Sequence, residues 1–343
     1  MEETADTQTF VLDLPFPYLA GQFLTFRLCG TLRSYSMSSS PDTDGSLMVT
    51  VKRVPGGLVS TWMHEHLAPG DVVEVTRPAG VFCLRETAAP MVAFGAGSGI
   101  TPILSLVKSA LAVTGRRVRV LTANRDAGSV IFRDALGALA GRYPGRLEVR
   151  HHLDEGNGFV TGLQIREFAG SDQDADFYIC GPAPFMDLTE RALLDGGITA
   201  EQIFIERFEA TGGREPSPGG KWRAGQPSPG GEWGGGQPPH EQGGSGGDRS
   251  PRGNTVCIVL AGRRHTVPRH AGETLLESAR RAGLSPPFSC EAGNCATCIA
   301  QVTEGEAKMR ANNALDDDEI ADGWVLTCQG EPVTPHVTVV YED

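Results

Sequence analysis

The chain of 343 residues has no apolar stretch of the roughly 18 residues that a membrane-spanning helix requires. It also lacks an excess of positive charge: 30 Lys and Arg stand against 42 Asp and Glu, a formal net charge of -12. A partner that presents phosphates needs a basic face, so neither a nucleic-acid nor a membrane partner is expected. The first residues, Met1-Glu2-Glu3-Thr4-Ala5-Asp6, have neither the basic nor the apolar region of a secretory signal. A cytoplasmic location is therefore expected. Disulfides are scarce in that reducing compartment, so the eight cysteines are read as ligands, active-site thiols or core residues.

What is present is 40% hydrophobic residues, enough for ordinary cores in two or three domains. Residues 211–253 depart from everything around them. Gly, Pro and Ser dominate there, and the unit Pro-Ser-Pro-Gly-Gly-Lys-Trp ending at Trp222 recurs as Pro-Ser-Pro-Gly-Gly-Glu-Trp ending at Trp233. Such a composition reads as a linker with a root-mean-square reach of roughly 35 Å, its tryptophans expected to lie loose. It divides the chain into a β-barrel over 1–88, an α/β domain over 89–210, the linker 211–253 and a last domain over 254–343.

The textures of these segments set the expected fold class, which is multi-domain. Short apolar runs at 22–28, 47–52 and 72–75, separated by Gly, Pro and Asp, predict an antiparallel β-barrel. Strand patterns at 91–94, 118–121 and 176–180 alternate with helical ones at 103–111 and 131–139, as in a parallel sheet covered on both faces. After the linker come a hairpin over 256–267, a helix over 274–282 and a strand-rich tail at 337–341.

Cys290, Cys295 and Cys298 stand as C-x4-C-x2-C, and 29 residues separate Cys298 from Cys328. Thiolates on a loop of small residues (Ala292, Gly293, Ala296, Thr297) suit an iron-sulfur cluster, whose sulfurs need nearby backbone N–H groups. The rival is structural zinc, which normally uses two compact Cys or His pairs rather than three ligands on one loop. Residues 254–343 resemble a plant-type ferredoxin, which implies a β-grasp α+β fold and one 2Fe-2S cluster. Cys29, Cys83 and Cys257 have no partner at ligand spacing and are expected to be buried apolar residues.

Further signals precede the linker. Arg33-Ser34-Tyr35-Ser36 offers a guanidinium for pyrophosphate, a ring to stack on a flavin and a hydroxyl for its reactive nitrogen. Gly56 and Gly57 lead into a predicted helix, whose first N–H groups suit phosphate. Taken alone, Tyr35 could be a barrel-packing aromatic and the glycines a hairpin turn. Gly95-Ala-Gly97-Ser-Gly99-Ile-Thr101-Pro102 follows a strand directly and is read as a phosphate-cradling loop, with Thr101 expected to cap the next helix and Pro102 to open it. Cys180-Gly181-Pro182 ends another strand at the same sheet edge, where ligands bind in open α/β folds.

In this order the motifs, with Glu206-Arg207-Phe208, resemble the ferredoxin-NADP reductase superfamily over residues 9–210. Fused to a ferredoxin, the chain resembles the reductase components of bacterial oxygenases, of the 3-ketosteroid 9α-hydroxylase and phenylacetyl-CoA epoxidase type. The resemblance implies that Arg33, Tyr35 and Ser36 hold the flavin, that Val51 and Lys52 meet its ring edge through their backbone, and that Gly57, Leu58, Val59 and Ser60 hold its pyrophosphate. It implies FAD rather than FMN, from the stretch 78–82. Gly95, Gly97, Gly99, Thr101 and Pro102 would cradle NADH or NADPH, with Gly181 and Pro182 beside them. Ser36, Cys180, Glu206 and Phe208 would surround the reacting rings as catalytic residues. Bland alternatives stay open: a buried strand-end thiol for Cys180, a solvated carboxylate for Glu206 and domain-junction packing for Phe208. The family's barrel begins with a strand before the equivalent of Thr9, where this sequence has eight residues, so that strand is absent or the recorded start is late.

The expected function is an NAD(P)H:acceptor oxidoreductase that passes electrons through FAD and a 2Fe-2S cluster to a terminal oxygenase, Rieske-type or another one-electron acceptor. A self-contained NAD(P)H oxidase or diaphorase and a zinc-stabilised binding module are the alternatives. Arg125 is the one obvious candidate for a nucleotide 2'-phosphate, or else a solvated loop residue; the resemblance favours NADH. From Asn254 onward 13 Asp and Glu face 7 Lys and Arg. The run at 316–319 is expected to be either the first turn of a helix or a docking face for a basic partner.

Overall fold

The computed structural model describes residues 1–14, 16–170, 172–207, 254–284, 286–288, 291, 293 and 295–341. The linker 211–253 with Trp222 and Trp233, and the expected site residues Phe208 and Cys290, lie outside the described residues. The first domain holds strands β1 (Glu2–Thr4), β2 (Thr7–Leu12), β3 (Phe23–Leu28), β4 (Thr31–Ser36), β5 (Leu47–Lys52) and β6 (Glu74–Val75) and helix α1 (Leu58–His66). The strands form two antiparallel sheets, β1-β2-β5 and β4-β3-β6, linked by a bridge between Met37 and Val49, while a second bridge ties Phe23 of β3 to Ala79. Alternation along β3 and β5 sends Leu24, Phe26, Val49 and Val51 into one core with Met37 and Met63.

Three expectations change here. The amino-terminal strand is present as β1, which covers the outer edge of β2. The strand expected over 72–75 shrinks to Glu74–Val75, and Val72 is 98% exposed. Cys29 is exposed rather than buried. With Gly30 it makes the β3–β4 hairpin turn at φ of 56° and 68°, a left-handed pair that matches strand twist and turns the Cys29 side chain outward. Cys83 is half-buried and Cys257 buried.

The second domain is a parallel sheet in the order β11-β10-β7-β8-β9, from β7 (Met91–Ala96), β8 (Val118–Asn124), β9 (Leu147–Leu153), β10 (Asp176–Cys180) and β11 (Ile203–Glu206). Helices α2 (Ile100–Val113) and α3 (Arg133–Arg142) pack on one face, and α4 (Gly162–Ala169) and α5 (Ala183–Asp195) on the other. Ile103, Leu106 and Val107 of α2 are fully buried, each contributing about 1.5–3 kcal/mol. Helix α3 starts later than the apolar pattern at 131 suggests, because Phe132 adopts φ 59° and breaks the helical path.

The barrel and this sheet are joined by buried polar contacts. Ser105 Oγ of α2 donates to the Ser39 carbonyl and accepts from the Gly21 N–H, and Ser109 pairs with Ser40. Asp176, buried at the start of β10 and paired inside its own domain with Arg116 at 2.6 Å, also receives Arg85 at 3.1 Å and the Thr87 hydroxyl at 2.8 Å from the end of the barrel segment. Buried groups satisfied on this scale fix one orientation of the two domains.

The last domain is a β-grasp fold. Its mixed sheet runs β13-β12-β18-β14-β16, from β12 (Thr255–Leu260), β13 (Arg263–Pro268), β14 (Ile299–Glu304), β16 (Trp324–Leu326) and β18 (His336–Val340). Strands β15 (Ala307–Met309) and β17 (Gly330–Pro332) pair separately, and α6 (Leu275–Arg281) covers the core. Helix α7 (Asp317–Ala321) carries the acidic run in its first turn, where Asp316 and Glu319 form a reciprocal capping box. Among the described residues no helix is long and apolar enough to cross a membrane.

Candidate functional site

The tips of β7 and β10 meet at one edge of the parallel sheet. After Ala96 the chain turns through Gly97, at φ 53°, and a 3-10 turn over Gly97–Gly99 runs straight into α2. A Cβ on Gly99 would lie 2.2 Å from the Cys180 carbonyl oxygen, so only glycine lets the loop reach this strand. Gly181, at φ 159°, lies against Ala96 in the same way. The first N–H groups of α2 and its positive dipole end thus open on a cleft suited to phosphate. This layout corrects two expectations. Gly99, not Thr101, is the cap residue, and Pro102 sits third in the helix, because the 3-10 turn already supplies the helix start.

The cleft has a volume of about 780 Å³. Of the sequence-named residues it gathers Lys52, Gly97, Gly99, Arg125, Cys180, Gly181 and Pro182. Outside its lining, Arg33, Tyr35 and Ser36 end β4, Val51 precedes Lys52 on β5, and Gly57 caps α1 ahead of Leu58, Val59 and Ser60. Gly95 belongs to β7. Arg33 donates to the Thr31 hydroxyl and the Leu32 carbonyl, and Tyr35 packs edge-on to Phe26 while burial pushes its hydroxyl up to about 12.

Two buried hydroxyl oxygens, Ser36 Oγ and Thr101 Oγ1, have no hydrogen-bond partner among the described residues. Buried polar atoms are nearly always paired, so both suit a bound ligand with polar ring atoms. They fit a flavin and a nicotinamide.

Glu206, at the end of β11, is buried beside its register partner Cys180 on β10, which sets aside the solvated-carboxylate reading. Burial and then the Glu206 charge push the Cys180 thiol well above its ordinary range, so it stays protonated. Arg125 is 79% exposed and pairs with Asp126 at 2.9 Å. The Arg125 and Ser129 hydrogen bonds hold the Asp126 carboxyl at about 2. Sequence reasoning missed Asp6, Arg53 and Thr61, all lining the cleft. Asp6 lies 3.6 Å from Lys52 and accepts from the Thr4 and Thr7 hydroxyls. Arg53 directly follows Val51 and Lys52 in sequence, whereas nothing in the sequence near Asp6 signals the cleft.

In the last domain Cys295, Cys298 and Cys328 are buried at one edge, and the Cys298 thiol is pushed far up by its hydrogen bond with Cys328, then by burial. The described residues alone do not close a metal site, since Cys290 lies outside them. Crowded sulfurs of this kind are stable as thiolates around a cation, and they fit a cluster.

Three sequence families match the chain. An oxidoreductase FAD-binding domain matches residues 1–83, an oxidoreductase NAD-binding domain residues 91–191, and a 2Fe-2S iron-sulfur cluster binding domain residues 258–333. The ferredoxin reductase component of 3-ketosteroid-9-alpha-monooxygenase from Rhodococcus rhodochrous is 36% identical over 352 residues, covering 99% of this chain and 94% of that protein. The chain belongs to the oxygenase reductase components. A 1,2-phenylacetyl-CoA epoxidase protein from Escherichia coli K12 is 30% identical and covers 99% of this chain and 95% of its own length. The reductase shares its fold with phthalate dioxygenase reductase, at TM-score 0.57 and 23% identity over 99% of this chain and 95% of that one. It is thus an NAD(P)H-dependent electron-transfer reductase with FAD-binding, NAD-binding and 2Fe-2S domains, working with a terminal oxygenase.

Proposed function

We propose that the reductase prefers NADH and serves a Rieske-type oxygenase acting on steroid or aromatic rings, in the cytoplasm. The preference for the steroid class rests on the relatives at 36% identity, which are named as components of 3-ketosteroid-9-alpha-monooxygenase. The domain limits are 1–88, 89–210 and 254–343, joined by 211–253. FAD supplies the conversion of a two-electron hydride donor into one-electron steps that a 2Fe-2S cluster can accept.

The residues divide the work. Arg33 and the start of α1 (Gly57, Leu58, Val59, Ser60) bind the flavin pyrophosphate, Tyr35 covers the ring, and the Val51 and Lys52 backbone meets its edge. Ser36 presents its buried hydroxyl to the reactive ring nitrogen. Gly95, Gly97, Gly99 and Pro102 admit the dinucleotide at the α2 N-terminus, and Thr101 orients the nicotinamide through its hydroxyl. Cys180 would border the meeting point of the two rings as a neutral thiol, while Gly181 and Pro182 shape the mouth. Glu206 and Phe208 exclude water from this meeting point. Cys290, Cys295, Cys298 and Cys328 hold the cluster. NADH preference is supported by Asp126, whose ionised carboxylate engages Arg125 and opposes a 2'-phosphate.

The observation that carries the flavin and nicotinamide assignment is the pair of buried, unpartnered hydroxyls at Ser36 and Thr101. Coupled turnover with purified steroid- and aromatic-ring Rieske oxygenases tests the acceptor. NADH-dependent hydroxylation of a steroid ring supports it, and turnover only with a non-Rieske oxygenase contradicts it.

A further inference from the structure

The ferredoxin domain rests on one face of the β3–β4 ribbon. The register pairs Phe23 with Ser36 and Arg27 with Leu32, so these four side chains share that face. Each region of the face meets a different part of the ferredoxin. Phe23 packs with Cys295, and Leu32 packs against the group that contains Ala314, Leu315, Cys298 and Cys328. Arg27 Nη1 and Nη2 donate to the two Glu319 carboxylate oxygens, each at 3.3 Å, and Nη2 also donates to the Ala314 carbonyl at 3.4 Å. Asp316 stands 3.9 Å away, and Glu74 of the barrel takes Arg27 Nε at 3.2 Å.

This seam differs from the one between barrel and parallel sheet. There, buried serines and the Arg85 and Thr87 contacts to the buried Asp176 fix the contact. Here a cavity of about 220 Å³ remains between Thr25, Leu32 and Glu74 on one side and Asn313, Leu315 and Asp316 on the other. Interiors pack without such gaps, and loose polar contacts mark reversible association. The charge pattern is also lopsided, since Glu74, Asp316 and Glu319 converge on a single guanidinium. Without it, carboxylates of the barrel and of the ferredoxin would face each other across the seam with no cation between them.

We propose that Arg27 is the positioning residue that docks the ferredoxin domain on the flavin barrel, seating Cys295 against Phe23, the strand partner of Ser36. Docking is electrostatic and reversible, and it sets the rate at which electrons pass from the flavin domain to the cluster. The acidic run at 316–319 therefore does meet a basic group, and that group belongs to this chain. The inference rests on the flavin and cluster assignments made above.

The test uses full-length holoenzyme reduced anaerobically with NADH in a stopped-flow instrument, at low and at high ionic strength. Arg27→Glu should leave flavin reduction unchanged and slow the following cluster reduction by roughly tenfold at low salt, with little further loss on adding salt. Arg27→Lys should restore most of the rate. Glu319→Gln, which keeps an oxygen for the capping box, should slow cluster reduction in the same direction. Amide exchange, read without turnover, should rise in 24–32 and 313–319 for Arg27→Glu. Unchanged cluster reduction and unchanged exchange in that variant would overturn the docking role. Failure of the underlying electron path would show differently, as wild-type flavin that bleaches without any cluster reduction.

Discussion

Ser36 and Cys180 sit within the same catalytic assignment but act by different physics. Ser36 offers one hydrogen bond in a buried place, so Ser36→Ala should slow flavin reduction roughly 10- to 100-fold, the size of a charge-assisted bond of about 1.5–3 kcal/mol. Flavin affinity should change far less. Stopped-flow reduction and a flavin titration separate the two, and an unchanged hydride-transfer rate would reject the role. Cys180 contributes as a neutral group. Because burial and Glu206 raise its pKa above the ordinary 9.0, the thiol stays protonated as pH passes that value. No alkaline limb from Cys180 should appear in the hydride-transfer rate up to about pH 9. The same protonation makes Cys180 inert while Cys29 lies open. Limited alkylation followed by peptide mass spectrometry should label Cys29 first, and early labelling of Cys180 would contradict the buried site.

Among the elements, the glycine loop and the strand β10 carry most of the site's geometry. Gly99→Ala places a methyl group 2.2 Å from the Cys180 carbonyl oxygen, which forces the loop off the strand. NADH affinity should fall sharply, with a stability loss of about 1–3 kcal/mol. Nucleotide titration and thermal melting measure both, and unaltered binding would show that the loop does not receive the nucleotide. At the other end of β10, Arg116→Ala would leave Asp176 buried with its closest cation removed, at an expected cost of about 3–5 kcal/mol in chemical denaturation.

Much of this level was legible in the sequence, since β3, β5, β7, β8 and β10 follow their apolar runs closely. The misses have physical causes. Strand β9 alternates Glu148 and Arg150 with Leu147 and Val149 and then carries His151 and His152 at a sheet edge, so it does not read as a buried parallel strand. Helix α2 begins from a 3-10 turn rather than from a side-chain cap, so the Thr-Pro signal misled. Asp6 joins the cleft only because the β1–β2 hairpin folds back to Lys52, a contact that local patterning does not encode.

For the whole molecule, three domains are built around one electron path, and severing it at one domain should spare the others. Cys328→Ser should abolish NADH-driven reduction of a one-electron protein acceptor and leave NADH:ferricyanide activity at the flavin intact; loss of both would mean that Cys328 supports the fold rather than the path. FAD and the nicotinamide nucleotide came from the resemblance that the order of motifs carries, whereas the 2Fe-2S class was readable from the cysteine spacing. The seating of the ferredoxin on β3 and β4 was not, because it depends on Arg27, Leu32 and Phe23 sharing a face that no motif marks. The most direct test of the account is anaerobic addition of NADH to purified holoprotein, with metal analysis and electron paramagnetic resonance on the same sample. The account predicts bound FAD, iron with acid-labile sulfide, and a reduced 2Fe-2S signal that appears after the flavin bleaches. Zinc in place of iron, or a bleached flavin with no reduced metal centre, would contradict it.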